Sequence, residues 1–227
     1  MKNILQLTAN DGHRFDAYLA EASDPHGSVV VLQEIFGINH HIRSVADRFA
    51  REGFWAIAPA LFNRVRPQVE LNYDNAGVEE GKKIAYNLNR DQVLQDISAA
   101  IDYARATVAG KKVAVAGFCF GGSYAWLSAT RLRPDAAICY YGSMIADLAQ
   151  EKPICPVQMH FGKNDTSIPP SNVEKIRATH PECEIYLYDA GHGFSCDERE
   201  SYAPEAAALA WSRALDFLKT RLAGKSG

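Results

Sequence analysis

Short apolar segments without internal alternation recur along this chain, and they constrain its fold more than any other feature. They lie at residues 29–32, 54–58, 113–116, 136–140, 156–161 and 184–188. Because these segments lack the apolar–polar alternation of a half-exposed strand, they predict strands that are buried on both faces of a parallel sheet.

Between several of these segments, apolar residues recur three or four positions apart, which is typical of helices that bury one face. Ile42, Val45 and Phe49 show this pattern, and a closing helix is predicted to begin near Pro204. Strands that alternate with helices predict the α/β class, here a three-layer α/β sandwich with a mostly parallel sheet, in one domain over residues 1–227.

Two further segments refine this prediction. Residues 4–9 and 15–20 flank an Asp11-Gly12 pair, which is a strong signal for an antiparallel β-hairpin at the N-terminus. Residues 62–88 are too many for a short crossover, and connections of this length usually have a function in compact domains. We therefore predict that residues 62–88 form a cap-like insertion or a pocket wall.

Composition argues against several classes of partner. The chain has 227 residues with 24 Lys and Arg against 27 Asp and Glu, so it lacks the basic excess of a nucleic-acid binder. No apolar stretch approaches the roughly 18 residues of a membrane span, and the first residues form no apolar signal region. The five cysteines and the His40-His41 pair lack ligand-type spacing. We expect a cytoplasmic protein without nucleic-acid, membrane or metal partners and without a disulfide framework.

The strongest chemical signal is the sequence Gly-Phe-Cys-Phe-Gly-Gly at residues 117–122. It follows a predicted strand and opens a predicted helix, which is the Gly-x-nucleophile-x-Gly elbow with Cys119 as nucleophile. The positive end of the helix dipole favours the thiolate, and the Phe120 N–H is placed to stabilise an oxyanion. The alternative is a structural cysteine in a glycine-rich turn, because free cysteines are often buried.

Two candidate partners follow Cys119 in the order that this arrangement requires, acid and then histidine. Asp165 and His192 each come shortly after one of the predicted strands, so both are expected at the same edge of the sheet as the thiol. There, His192 would take the thiol proton and Asp165 would orient the imidazole. His160 lies inside an apolar segment and is interpreted as a core histidine with a hydrogen-bond partner.

Glu34 follows the apolar segment 29–32, in the loop 33–37 where a second oxyanion donor belongs in this arrangement. A carboxylate beside a thiol opposes thiolate formation by charge repulsion, or it accepts the S–H hydrogen bond. The alternative is an ordinary surface charge at the end of a strand.

At these residues the chain resembles the dienelactone hydrolase family (carboxymethylenebutenolidases) of the α/β-hydrolase superfamily. The resemblance covers nearly the whole chain, and its most specific marks are the loop 33–37 and the elbow 117–122. It implies a cysteine hydrolase that opens unsaturated lactone esters through an acyl-enzyme. It also implies that the N–H groups of Ile35 and Phe120 bind the oxyanion, and that the resting thiol is neutral against Glu34 until substrate moves that carboxylate.

The chain departs from the family where the best-known members hold the substrate carboxylate with two arginines, because Val78 and Cys196 stand at those positions. Arg199 is the expected substitute for the arginine that holds the displaced Glu34. The candidate substrate-binding residues are Arg64, Lys82, Tyr140 and Arg199.

The leading interpretation is a cofactor-independent hydrolase of small esters or lactones that uses Cys119, His192 and Asp165, as a monomer or a small homo-oligomer. One alternative is a non-catalytic or redox-responsive thiol protein on the same fold, although a sensor of this kind needs no acyl-transfer relay. A third is a cysteine peptidase, which would need an extended binding groove.

Overall fold

The computed structural model describes residues 3–223, and this part of the chain contains eight strands. They are β1 (Ile4–Thr8), β2 (Arg14–Ala20), β3 (Gly27–Leu32), β4 (Phe54–Pro59), β5 (Val113–Phe118), β6 (Ala136–Tyr140), β7 (Val157–Gly162) and β8 (Glu184–Tyr188). A loose tail, which the sequence predicts at residues 223–227, lies outside the described residues except for Ala223.

All eight strands form one sheet in the order β1-β2-β4-β3-β5-β6-β7-β8. β2 pairs antiparallel with β1 and β4, whereas the other neighbouring strands are parallel. The predicted N-terminal hairpin and parallel sheet are therefore confirmed. Strands β3 to β7 are buried along their whole length, which explains why their sequences show no alternation.

Helices cover the sheet to complete the α/β sandwich. They are α1 (His40–Arg51), α2 (Asn75–Tyr86), α3 (Arg90–Thr107), α4 (Phe120–Arg131), α5 (Pro170–Thr179) and α6 (Pro204–Leu222), with a short 3-10 helix at Leu61–Arg64. α1 meets α6 through Phe49 and Trp211, whose ring centroids are 4.6 Å apart, and α3 contacts α4. None of the described helices is long and apolar enough to span a membrane.

The sequence pattern did not indicate α2 and α5. α2 buries only Gly77, Gly81 and Ile84, and α5 buries only Val173 and Ile176. Because so few apolar side chains face the core, neither helix shows the periodicity that marks the others.

Residues 62–88 pack against the loop that follows β3. The Leu71 N–H donates to the Phe36 carbonyl at 2.9 Å. A Cβ atom at Gly81 of α2 would lie 2.1 Å from the Ile35 carbonyl oxygen, so a residue without a side chain is required for this close approach. The long segment is thereby fixed beside the loop in which the sequence places Glu34.

Candidate active site

Cys119 occupies the sharp turn between β5 and α4. Its φ and ψ angles are 53° and −112°, and a positive φ is uncommon for a residue with a side chain. Strain of this kind persists where surrounding contacts fix the backbone, and here the Cys119 N–H donates to the Tyr140 carbonyl at 3.0 Å. The turn places a half-buried thiol at the N-terminus of α4.

Glycines allow the elbow to pack directly on neighbouring backbone. A Cβ atom at Gly117 would lie 1.9 Å from the Gly121 carbonyl oxygen, and one at Gly121 would lie 2.3 Å from the Leu32 carbonyl oxygen. The Gly121 N–H also donates to the Gln33 carbonyl at 2.9 Å. The elbow and the loop 33–37 are therefore held together with no space for side chains between them.

A continuous chain of hydrogen bonds joins Cys119, His192 and Asp165. His192 Nε2 lies 3.1 Å from Cys119 Sγ, and His192 Nδ1 lies 2.7 Å from Asp165 Oδ2. The Asp165 side chain is buried, and its Oδ1 accepts hydrogen bonds from the N–H groups of Ser167 at 2.8 Å and Ile168 at 3.2 Å. These contacts fix the carboxylate, and the carboxylate orients the imidazole toward the sulfur.

The surroundings of His192 favour its protonated form. Burial lowers the pKa of the imidazole, but the hydrogen bonds and the charge interactions with Asp165 and Cys119 together outweigh burial and raise the pKa to about 10. An imidazolium between a carboxylate and a sulfur is the state expected of a thiolate–imidazolium pair.

Glu34 is fully buried, so the interpretation as a surface charge is wrong. Its Oε1 accepts a hydrogen bond from Arg199 Nη1 at 3.1 Å, and its Oε2 accepts one from the Tyr73 hydroxyl at 2.9 Å. Within the described residues Glu34 makes no hydrogen bond to Cys119, whose sulfur pairs with His192 instead. The thiol–carboxylate contact that the family resemblance implied is therefore not the one observed: Glu34 is bonded to Arg199 and Tyr73, and Cys119 is bonded to His192.

The backbone N–H groups of Ile35 and Phe120 have no hydrogen-bond acceptor within residues 3–223. Phe120 is the first residue of α4, and Ile35 lies in the loop to which the elbow is bonded. Unpaired N–H groups beside a nucleophile can donate to an oxyanion as it develops, without any rearrangement of the backbone.

Two candidate substrate-binding residues, Arg64 and Tyr140, have their polar atoms occupied elsewhere, contrary to the prediction from the sequence. The Arg64 guanidinium donates to Asp96 at 2.7 and 2.8 Å and contacts Asp11 at 2.9 Å. The Tyr140 side chain is fully enclosed, and its hydroxyl donates to the Ala210 carbonyl at 3.3 Å. Neither side chain is available to a substrate, because each completes a buried contact of the fold.

The other two candidates, Arg199 and Lys82, differ in their surroundings. Arg199 packs against Gly193, next to the candidate base. Burial lowers the pKa of Arg199, but Glu34 and the other acidic groups around it together outweigh burial and raise the pKa. Lys82 is exposed on α2, with its Nζ 3.5 Å from a Glu79 carboxylate oxygen. The structure thus brings Arg199 into the network around Glu34 and leaves Lys82 on the surface.

His160 is a core histidine with hydrogen-bond partners, as predicted. Its Nδ1 lies 2.8 Å from the Tyr188 hydroxyl, and its Nε2 lies 2.9 Å from Gln158 Oε1. Burial lowers the pKa of His160 to about 3, so this imidazole is neutral in the folded protein.

Among the described residues, the fold assembles two groups of potential metal ligands that sequence spacing did not reveal, and one of them is buried. Glu34, His41 and Cys196 each place a ligand-type atom within 4.8 Å of the others, and all three are buried. Carboxylate, imidazole and thiolate are ligands that zinc accepts in proteins. However, Arg199 already holds the Glu34 carboxylate, and its positive charge opposes a cation at the same place. We therefore assign no metal to this group.

Tyr73 is the residue of this network that sequence reasoning missed. It lies 39 positions from Glu34 and belongs to no motif. The one available signal is its place in the segment 62–88, whose length predicted a role without indicating a residue.

Comparisons with known proteins give consistent matches. The family model described as "Dienelactone hydrolase family" matches residues 15–222. A Synechocystis sp. protein, provisionally named carboxymethylenebutenolidase, is 37% identical over 98% of both chains. The carboxymethylenebutenolidase of Pseudomonas putida is 31% identical over 94% of both chains. Among solved structures, a Klebsiella pneumoniae protein provisionally named dienelactone hydrolase is 31% identical, with 94% of this chain and 97% of that chain covered and a TM-score of 0.81.

Proposed function

This chain belongs to the dienelactone hydrolase family and is a carboxylic ester or lactone hydrolase, and we propose that it acts on small esters or lactones through Cys119, His192 and Asp165. The observation that carries this proposal is the chain of hydrogen bonds from the Cys119 sulfur to the buried Asp165 carboxylate. The unpaired N–H groups of Ile35 and Phe120 support it, because acyl transfer needs donors for an oxyanion.

In the proposed reaction, the Cys119 thiolate attacks the carbonyl carbon of the ester. A C–S bond forms while the carbonyl electron pair moves onto oxygen, and the N–H groups of Ile35 and Phe120 donate to that oxyanion. When this intermediate collapses, the ester C–O bond breaks and His192 gives its proton to the departing alkoxide. The product of this half-reaction is a thioester on Cys119, and for a lactone the new alcohol remains attached to the acyl group.

Water completes the cycle. The neutral His192 accepts a proton from water as the hydroxide adds to the thioester carbonyl, and the same N–H groups bind the second oxyanion. Collapse of this intermediate breaks the C–S bond, releases the carboxylic acid and restores the thiolate–imidazolium pair. Asp165 keeps the Nδ1–H of the imidazole directed toward itself, so that Nε2 faces the reacting atoms throughout.

Turnover and labelling together test this proposal. The substrates are activated esters and lactones, each in a form with and a form without a carboxylate. With the esters we expect an initial burst of alcohol equal to the enzyme concentration, and with both substrate classes we expect complete loss of turnover after iodoacetamide has alkylated Cys119. Labelling of Cys119 without turnover of any ester would instead support the thiol-sensing alternative.

Asp165→Asn is expected to lower kcat by about 10²–10⁴-fold. The amide can still contact the imidazole, but it favours the tautomer that carries a proton on Nε2, which cannot accept the thiol proton. The measurement is steady-state hydrolysis, with Asp189→Asn as the matched control because Asp189 is exposed and lies in the loop before His192. Full rates in both Asp165→Asn and Asp165→Ala would show that another acid orients the imidazole.

Glu34→Gln is expected to shift the pH profile of Cys119 alkylation to lower pH and to slow the hydrolysis of esters. The substitution removes a negative charge and leaves the Arg199 cation unpaired, which favours thiolate at Cys119. A thiolate that is stabilised in this way is less nucleophilic, so the chemical step slows. The measurement is the pH profile of iodoacetamide inactivation beside steady-state hydrolysis. Superimposable profiles would mean that the Glu34 charge does not act on the sulfur.

A further inference from the structure

Tyr73 binds the buried carboxylate of the candidate site from outside the elbow and its loop. Its hydroxyl donates to Glu34 Oε2 at 2.9 Å, while Arg199 donates to Glu34 Oε1 at 3.1 Å. Each carboxylate oxygen therefore has one donor, and the two donors come from different segments of the chain.

Aromatic packing holds both donors in place. The rings of Tyr73 and Phe36 have centroids 4.4 Å apart, and the Arg199 guanidinium carbon lies 5.6 Å from each ring centroid. A guanidinium at this distance from aromatic rings is attracted to them. The arginine is therefore fixed by rings as well as by the carboxylate that it binds.

The position of Tyr73 is in turn set by the start of α2. Asp74 caps this helix by accepting a hydrogen bond from the Gly77 N–H at 2.7 Å, so the backbone next to Tyr73 is anchored. Gly81 of the same helix packs on the Ile35 carbonyl. The segment 62–88 thus places its tyrosine in contact with Glu34 at the capped start of α2.

A buried carboxylate needs hydrogen-bond donors, because burial without them strongly disfavours the charged form. With Tyr73 and Arg199 in place, each oxygen of Glu34 accepts a hydrogen bond, and the Cys119 sulfur pairs with His192 rather than with Glu34. If the tyrosine hydroxyl were removed, Glu34 Oε2 would lose its donor, and a buried carboxylate oxygen without a donor is drawn toward the S–H of Cys119. A thiol held in that way is neutral and unreactive.

We propose that Tyr73 is a positioning residue, which together with Arg199 holds the Glu34 carboxylate away from the sulfur, so that Cys119 and His192 form their ion pair before any substrate binds. This inference rests on the proposed function, because it concerns the readiness of the same nucleophile. It gives the segment 62–88 a defined chemical role.

Several ionisable groups surround Cys119 and Glu34. Burial raises the pKa values of Tyr73, Tyr141 and Cys196, so these three are neutral near pH 7. Arg199 supplies the fixed positive charge beside Glu34. Other ionisable groups among the described residues are His192, Asp165 behind it, and His41, whose Nδ1 lies 3.2 Å from Asp197 Oδ1 with Glu198 close by.

The test is Tyr73→Phe, which removes the hydroxyl and keeps the ring that packs on Phe36. We expect iodoacetamide to inactivate this variant roughly tenfold more slowly at neutral pH, with the midpoint of the pH profile about one unit higher. Tyr86→Phe is the matched control, because Tyr86 lies on α2 and is 90% exposed. Its profile should superimpose on that of the wild type.

A double-mutant cycle separates positioning from a general structural effect. In the Glu34→Gln background there is no carboxylate charge to hold, so Tyr73→Phe should change the inactivation rate by less than about twofold. An equal slowing in both backgrounds, an unchanged profile in the wild-type background, or faster inactivation by Tyr73→Phe would each overturn the proposal.

The proposed function can fail separately from this inference. The inactivation profile reports the state of the thiol without any substrate, whereas the proposed function depends on the loss of hydrolysis when Cys119 is changed. Normal turnover by Cys119→Ala would therefore reject the hydrolase mechanism, while a superimposable Tyr73→Phe profile would reject only the positioning role.

Discussion

Cys119→Ala is expected to lower kcat for ester hydrolysis by about 10⁴-fold or more, because no other described group can form the acyl-enzyme at the end of the hydrogen-bond chain. Alanine keeps the Cβ atom that already tolerates a φ of 53°, so the elbow should retain its backbone. The lost sulfur is half-buried, which limits the cost of the cavity. The measurement is steady-state hydrolysis together with the melting temperature.

Cys155→Ala is the matched control for this substitution. Cys155 is another half-buried free cysteine, and it lies before β7, away from the elbow. It should keep the wild-type rate of hydrolysis and the wild-type sensitivity to iodoacetamide. Wild-type turnover by the Cys119→Ala variant would remove the nucleophile from the mechanism.

His192→Ala is expected to lower kcat by about 10⁴-fold or more as well. The variant loses both the group that takes the thiol proton and the group that activates water in the second half-reaction. Because His192 carries a pKa raised to about 10, it is cationic at neutral pH in the wild type and supports the thiolate. Its removal should therefore also slow iodoacetamide inactivation at neutral pH.

The control for this second substitution is His26→Ala, in which an exposed histidine near Gly53 is removed. That variant should match the wild type in hydrolysis and in inactivation. If His192→Ala kept normal inactivation but lost hydrolysis, the imidazole would act on water alone and not on the thiol.

Much of the fold was predictable from residue pattern alone. Strands buried on both faces have continuous apolar sequences, so their positions could be read directly, and Asp11-Gly12 indicated the N-terminal hairpin. α2 and α5 could not be predicted in the same way, because each buries very few apolar side chains. Their formation depends on contacts with the rest of the domain rather than on local periodicity.

The candidate triad was predictable because topology fixes where strand ends meet. Asp165 and His192 follow parallel strands, and the carboxyl ends of such strands share one edge of the sheet. A motif, however, predicts where the backbone lies but not where each side chain points. Tyr140 stands beside the motif residues in the sheet, yet its ring is enclosed and its hydroxyl is bonded to α6.

The hydrogen-bond partners of Glu34 could not be predicted from its loop, because the two donors come from distant segments of the chain. Arg199 is 165 positions away in the sequence and Tyr73 is 39 positions away. Arg199 was a candidate because Cys196 stands where the best-known family members have an arginine, so a nearby arginine was expected to replace it. No pattern indicated Tyr73. Long-range polar contacts of this kind become visible only when the fold is assembled.

The most direct test of the central claim is mass spectrometry of the protein quenched during turnover of an activated acetate ester. We expect a single acetyl group on the peptide that contains Cys119, which is present during turnover, is lost when the substrate is exhausted and is absent from the Cys119→Ala variant. An acetyl group on a different residue during turnover, or hydrolysis without any acylated protein, would contradict this expectation.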